Sequence, residues 1–154
     1  MSESTDALVQ RLRVLLANAE VAGPVPEALI ASAEETLGLA FPWSYRAFLA
    51  TFGAALLHGR HVAGIDPNYT DPNVCPYFSD VVSDTLSTRR VSRGHIPSTL
   101  LPISDDGMDD TFYLDTAAVA NGDCPVIVLG PGRDGDQVAE GLVGFIALLA
   151  SEQI

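Results

Sequence analysis

The chain of 154 residues contains no lysine: its eight basic residues are all arginine, set against twenty acids for a formal charge of −12. Nucleic acids and anionic membranes are bound through Lys and Arg that displace counterions from phosphates, so the composition speaks against direct binding to either. Long apolar runs are missing too. No stretch approaches the ~18 residues of a membrane span. The opening Met1-Ser2-Glu3-Ser4-Thr5-Asp6 is polar and acidic, without the basic start and apolar core of a secretory signal. Cysteine is limited to Cys75 and Cys124. With no export signal, both are expected as free thiols and the expected compartment is the cytoplasm.

What is present suits one globular unit. Apolar residues make up 47% of the chain and charged residues 18%, a balance that argues against wholesale disorder. A chain this long needs no disulfide or metal to hold its fold. The charge is uneven: residues 1–100 hold ten acids and seven arginines, residues 101–154 ten acids and one arginine. A field of one sign influences association more than fold, so the asymmetry points outward, to a partner.

Periodicity divides the chain into helices, then strands, then a last helix. Leu8, Leu12, Leu15, Leu16 and Ala19 form one helical stripe between Thr5 and Glu20, with Ser4, Thr5 and Asp6 as possible caps. A second helix starts near Pro26, with Leu29, Ile30, Ala33 and Leu37 inward and Gly38 past its end. A third begins at Pro42, carries Tyr45, Phe48, Leu49 and Phe52, and stops at Gly53. Residues 54–58 and 61–65 suggest a hairpin about Gly59-Arg60. The segment 66–76 has three prolines and a twice-repeated Asp-Pro-Asn, read as two turns. Residues 80–91 predict a polar helix with Val81, Val82 and Leu86 inward and Arg89, Arg90 and Arg93 outward. Strands follow at 100–104, where Pro102 demands an edge or a strand start, at 111–115, and at 126–129, read as buried on both faces. Asp105–Asp110 is an acidic turn and Asp134-Gly135-Asp136 a second acidic loop. A closing helix is expected over 138–151, with Val138, Leu142, Phe145, Ile146 and Leu149 on one stripe. That order implies an α+β single domain over residues 1–154, a mostly antiparallel or mixed sheet packed against helices.

No catalytic constellation emerges, so no catalytic residue, metal or cofactor is expected. His58, His61 and His95 and the two cysteines lie at no zinc spacing. His58 and His61 read as surface histidines, Cys124 as a packing residue, and the Trp43 and Tyr45 pair as core and staple. Cys75 has no activating neighbour in sequence. The acidic turn lacks the calcium-loop order of alternating acids, Gly and a late Glu. Gly130 to Gly135 follows a strand and precedes a helix, but it holds Pro131 and Asp134, is followed at once by Asp136 and has no Lys, so it reads as a turn and not as a phosphate cradle. Two readings of the acids remain: turn-capping groups in water, or a surface for a basic protein.

The order of motifs resembles the SUKH superfamily, also called the Smi/Knr family. In AEETLGLAFPWSYRAFLATFG the matching positions are Glu34, Glu35, Leu37, Gly38, Pro42, Tyr45, Phe48, Leu49 and Gly53. Downstream, LLPISDDGMDDTFYLDT resembles the family's strand, acidic Gly turn and strand, DCPVIVLGPG its Pro-Val strand, and the helix with Phe145 and Leu149 its final helix. The resemblance covers about residues 26–151 and departs at Phe52, where the family often has Asn, and at Met108, where it tends to have Gly. It implies helices packed on a sheet and a non-enzymatic role. Many bacterial members look like immunity proteins that neutralise a cognate toxin, often a nuclease; others are cytoplasmic interaction or regulatory modules. On the immunity reading a basic toxin domain is the partner, and Asp105, Asp106, Asp109, Asp110, Asp134 and Asp136 form part of the binding surface. The alternative is a scaffold or regulatory module whose acidity serves solubility. A small hydrolase or metal enzyme would rest only on the aspartates and histidines and has no recognisable triad or ligand set.

Overall fold

The computed structural model describes residues 4–154. Helix α1 (Thr5–Leu15) begins where Ser4 Oγ accepts the Ala7 N–H at 3.2 Å, and it buries Leu8 and Leu12. A two-residue strand follows, β1 (Glu20–Val21), too short to leave a periodic signal. Helices α2 (Glu27–Leu37) and α3 (Trp43–Thr51) come next. Pro26 and Pro42 sit at their N-caps, one residue ahead of the first turn, and Gly38 closes α2 at a φ of 68°. Leu29, expected inward, is 43% exposed; Ile30, Ala33 and Leu37 carry the buried face. Arg46 of α3 pairs with Glu27 and Glu34 of α2, which joins the two helices.

Strands β2 (Ala55–Leu57) and β3 (Arg60–Val62) form the expected hairpin, but its turn centres on His58-Gly59, at φ values of 52° and 76°. With β1 they make an antiparallel sheet in the order β1-β2-β3. The Asp-Pro-Asn repeat gives two like turns: Asp66 Oδ1 accepts the Asn68 N–H and Asp71 Oδ1 the Asn73 N–H, each at 2.9 Å. Helix α4 (Val81–Ser92) is capped by Asp80, which accepts the Ser83 N–H at 2.8 Å. Its buried face is Val81 and Thr85 instead of Leu86, because the Thr85 hydroxyl donates to the Val81 carbonyl at 2.6 Å and so enters the core satisfied. Arg90 and Arg93 are exposed as expected; Arg89 folds back to donate to the Ser98 carbonyl at 2.9 Å.

The second sheet is an antiparallel meander, β4 (Leu100–Asp105), β5 (Thr111–Asp115), β6 (Val126–Gly130) and β7 (Arg133–Ala139). Pro102 lies on β4 at the end of the strand order, where a missing N–H is tolerated. Two expectations fail here. β6 buries Val126 and Val128 but leaves Ile127 and Leu129 half-buried, so only one face is covered. Asp134-Gly135-Asp136 is not a loop but part of β7, paired along β6 with a bulge at Gly135. Since Val138 and Ala139 belong to that strand, the last helix, α5 (Leu142–Ala150), starts later than its apolar stripe suggests.

Helix α1 packs on α3 and α5, α2 on α3 and α4, α4 on β4, and α5 on β7. The result is an α+β fold with two antiparallel sheets, linked where the Ala63 N–H donates to the Ile103 carbonyl at 2.8 Å. Tyr45 is fully buried near this junction and donates its hydroxyl to the Ala63 carbonyl at 2.6 Å. Trp43 is half-buried against the core, with its indole N–H on Thr5 Oγ1 at 2.9 Å. Backbone also meets backbone here: a Cβ on Gly64 would lie 1.7 Å from the Gly53 carbonyl oxygen.

Both cysteines are free thiols, Cys75 exposed and Cys124 buried. Burial pushes the Cys124 thiol up to about 12, with Asp123 and Asp115 adding to the effect. A native chain treated with a thiol-reactive disulfide at neutral pH should therefore release one equivalent quickly, from Cys75, and the second only on denaturation. Two fast equivalents would mean that the β6 end of the sheet opens readily.

Candidate functional site

The meander puts the turn between β4 and β5 and the turn between β6 and β7 at the same end of one sheet. All six aspartates singled out in the sequence gather there. Their jobs differ. Asp105 is exposed and accepts the Gly107 N–H at 2.7 Å. Asp106 is half-buried, and its Oδ1 accepts the N–H groups of Met108 at 2.9 Å and Asp110 at 3.2 Å. These bonds shape the turn in the way short carboxylates commonly do. Asp110 is half-buried against Gly130, where any side chain would collide with it, and lies 3.5 Å from Arg133. Arg133 in turn reaches Asp136 at 3.8 Å. Asp109, Asp134 and Asp136 are exposed, as is Met108 at the tip, at 84%. Arg133 thus pairs with two of the six carboxylates, and Arg60 donates to the Asp105 backbone carbonyl at 2.8 Å.

A groove that no sequence motif announced adjoins this end. It has two recesses, about 690 and 280 Å³, which share His61, Ser79 and Asp84. The larger is bounded by the 66–80 segment and includes Leu29, Ile65, Tyr77 and Phe78; the smaller runs over β4 to Asp105. His61, expected at the surface, is half-buried, and its Nδ1 has no partner among the described residues. Ser104 is only 7% exposed and its hydroxyl is likewise unpartnered. Asp84 is exposed as a residue, yet the packing that partly desolvates its carboxyl holds it above its ordinary range; Asp80 and Asp105 push it the same way, and His61 partly offsets them. The folded chain therefore binds that proton more tightly than the unfolded one. The resulting stability is full below the unfolded value and is lost as pH rises through the folded one. Among the described residues no cation forms an ion pair with Asp80, Asp84 or Asp105. The groove was illegible in sequence because its residues come from β3, α4, β4 and the segment before α4.

A different cluster is structural. Asp123 Oδ1 accepts from Ser44 Oγ at 2.6 Å, the Cys124 N–H at 2.8 Å and the Leu142 N–H at 3.3 Å. It ties the starts of α3, β6 and α5 together. Among the described residues no three His, Cys, Asp or Glu side chains group in a way that could hold a metal, and no helix is long and apolar enough to cross a membrane.

No curated protein matches this chain. The family model SUKH_5, described as SMI1-KNR4 cell-wall, matches residues 6–147, from α1 into α5. The match takes in the paired helices α2 and α3 with their closing glycines, both sheets and the acidic turn. The chain therefore belongs to the SMI1-KNR4 family, in its SUKH_5 branch.

Proposed function

We propose that this chain is a non-enzymatic protein-binding domain: a cytoplasmic immunity protein that binds and neutralises a basic toxin domain. Family membership supports a binding domain of this fold. The observation that carries the toxin reading is the gathering of two acidic hairpins at one end of the meander, in a chain of net charge −12. A nuclease domain is basic where it holds phosphates. An acidic end would steer it in, raise the association rate and cover its substrate groove.

The test begins with capture of the partner from the protein's own cells, with the adjacent reading frame co-expressed, at low and moderate salt. A stoichiometric complex with a basic, toxic domain is expected. Substituting Asp105, Asp109, Asp134 and Asp136 together by Asn should then weaken affinity about tenfold at low salt, mostly through the association rate. Asn keeps an acceptor at Asp105 for the Gly107 N–H, so the turn should survive. No partner at either salt would move the reading to a regulatory module. Unchanged affinity at low salt would reduce the acidic end to turn chemistry.

A further inference from the structure

We infer that the groove of His61, Asp84 and Ser104 is the seat of an arginine side chain presented by an extended segment of the protein partner. This rests on the reading of the chain as a binding domain and adds where, and by what chemistry, the partner is gripped.

Three observations carry it. First, Asp84 lines both recesses, with Asp80 in the larger and Asp105 in the smaller, and none of the three carboxylates has an ion-pair partner among the described residues; Arg60 reaches the Asp105 backbone carbonyl at 2.8 Å. Asp80 and Asp105 have work in the fold, capping α4 and bracing the turn. Asp84 accepts no hydrogen bond from a described residue, and its repulsion by the other two is relieved only in part by His61. Second, the smaller recess is lined by Ser104, a residue 7% exposed whose buried hydroxyl has no partner, and by His61, whose Nδ1 has none among the described residues either. Buried polar groups are normally satisfied, so unsatisfied ones beside a recess mark where a ligand donor completes the set. Third, the larger recess continues from the same residues over Leu29, Tyr77 and Phe78, with Leu29 at 43% and Tyr77 at 59% exposure.

A carboxylate and a buried hydroxyl around a narrow recess ask for several donors on one cation. Guanidinium offers five in a plane, whereas ammonium offers three on a point. The stem and a neighbouring apolar residue would then lie over the tyrosine and leucine of the wider recess. A polyamine would satisfy the charge but would leave those apolar walls uncovered.

The test is a nitrogen–proton NMR titration of the full chain with a blocked Ala-Leu-Arg-Phe-Ala peptide. The controls are the same peptide with citrulline for arginine, and spermidine. Saturable shifts are expected at His61, Ser79, Asp84 and Ser104, with citrulline weaker by about tenfold because it loses the charge. Asp84→Asn should cost the peptide about fivefold or more in affinity. Its melting temperature should not fall, since the substitution removes a charge that folding disfavours. Ser104→Ala, which removes only a hydroxyl, should weaken the peptide without unfolding the sheet. The inference is overturned if no saturable shifts appear at millimolar peptide, if they map to residues 106–110 alone, or if citrulline or spermidine binds as well. Loss of groove binding with a captured toxin complex intact would refute this seat and leave the immunity reading standing. Peptide binding with no toxin partner would do the reverse.

Discussion

A Gly64→Ala chain is expected to lose about 3 kcal/mol of folding stability, seen as a fall of roughly 10 °C in thermal midpoint. Its Cβ would lie 1.7 Å from the Gly53 carbonyl oxygen and 2.8 Å from the carbon. Neither strand of backbone is free to retreat. The Gly64 N–H donates to the Ser79 carbonyl at 3.0 Å, the Gly64 carbonyl accepts the Val81 N–H at 2.9 Å, and the Gly53 carbonyl accepts the Ile65 N–H at 2.9 Å. Gly59→Ala makes the control: it strains a φ of 76° but meets no atom within 4 Å, so about 1 kcal/mol is expected. Circular dichroism melts of both variants decide the matter. Equal losses would mean that close approach at Gly64 is not what makes glycine necessary there.

Asp123→Ala should cost a similar amount, about 3 kcal/mol in urea unfolding, because it leaves a buried hydroxyl and two backbone N–H groups without their acceptor. Ser44, one of the donors, is 0% exposed. All three bonds converge on Oδ1, so Asp123→Asn keeps an acceptor in place and should cost only about 1 kcal/mol, for the lost charge assistance. If Asn proves as damaging as Ala, the negative charge itself holds the junction of α3, β6 and α5.

Both variants touch features that the sequence showed only in outline. Helices α2 and α3 were legible because proline and glycine mark their ends and a stripe marks their inner face. β1 left no trace in two residues. β7 was hidden for a different reason: Asp134, Gly135 and Asp136 are poor strand formers, yet an edge position with one partner tolerates them. Losing that strand displaced the start of α5 onto Val138. On α4, a threonine that bonds back to its own helix took the place expected of leucine. The acidic turn stood out because its residues are consecutive. The division of labour within it did not, since whether an aspartate braces backbone or faces water is decided by turn geometry. The groove was invisible because only folding brings His61 to Asp84 and Ser104.

The two sheets also differ in how far apart along the chain their partners lie. Every pairing of the meander joins strands that are consecutive in sequence, whereas Glu20 and Val21 must find Leu56 and Ala55 across two intervening helices. Closing a longer loop costs more entropy, and pairings between distant segments slow folding. The acidic end is thus built from the locally connected half of the molecule. The β1 edge, held by two residues, depends on α2 and α3 having already brought its partner near.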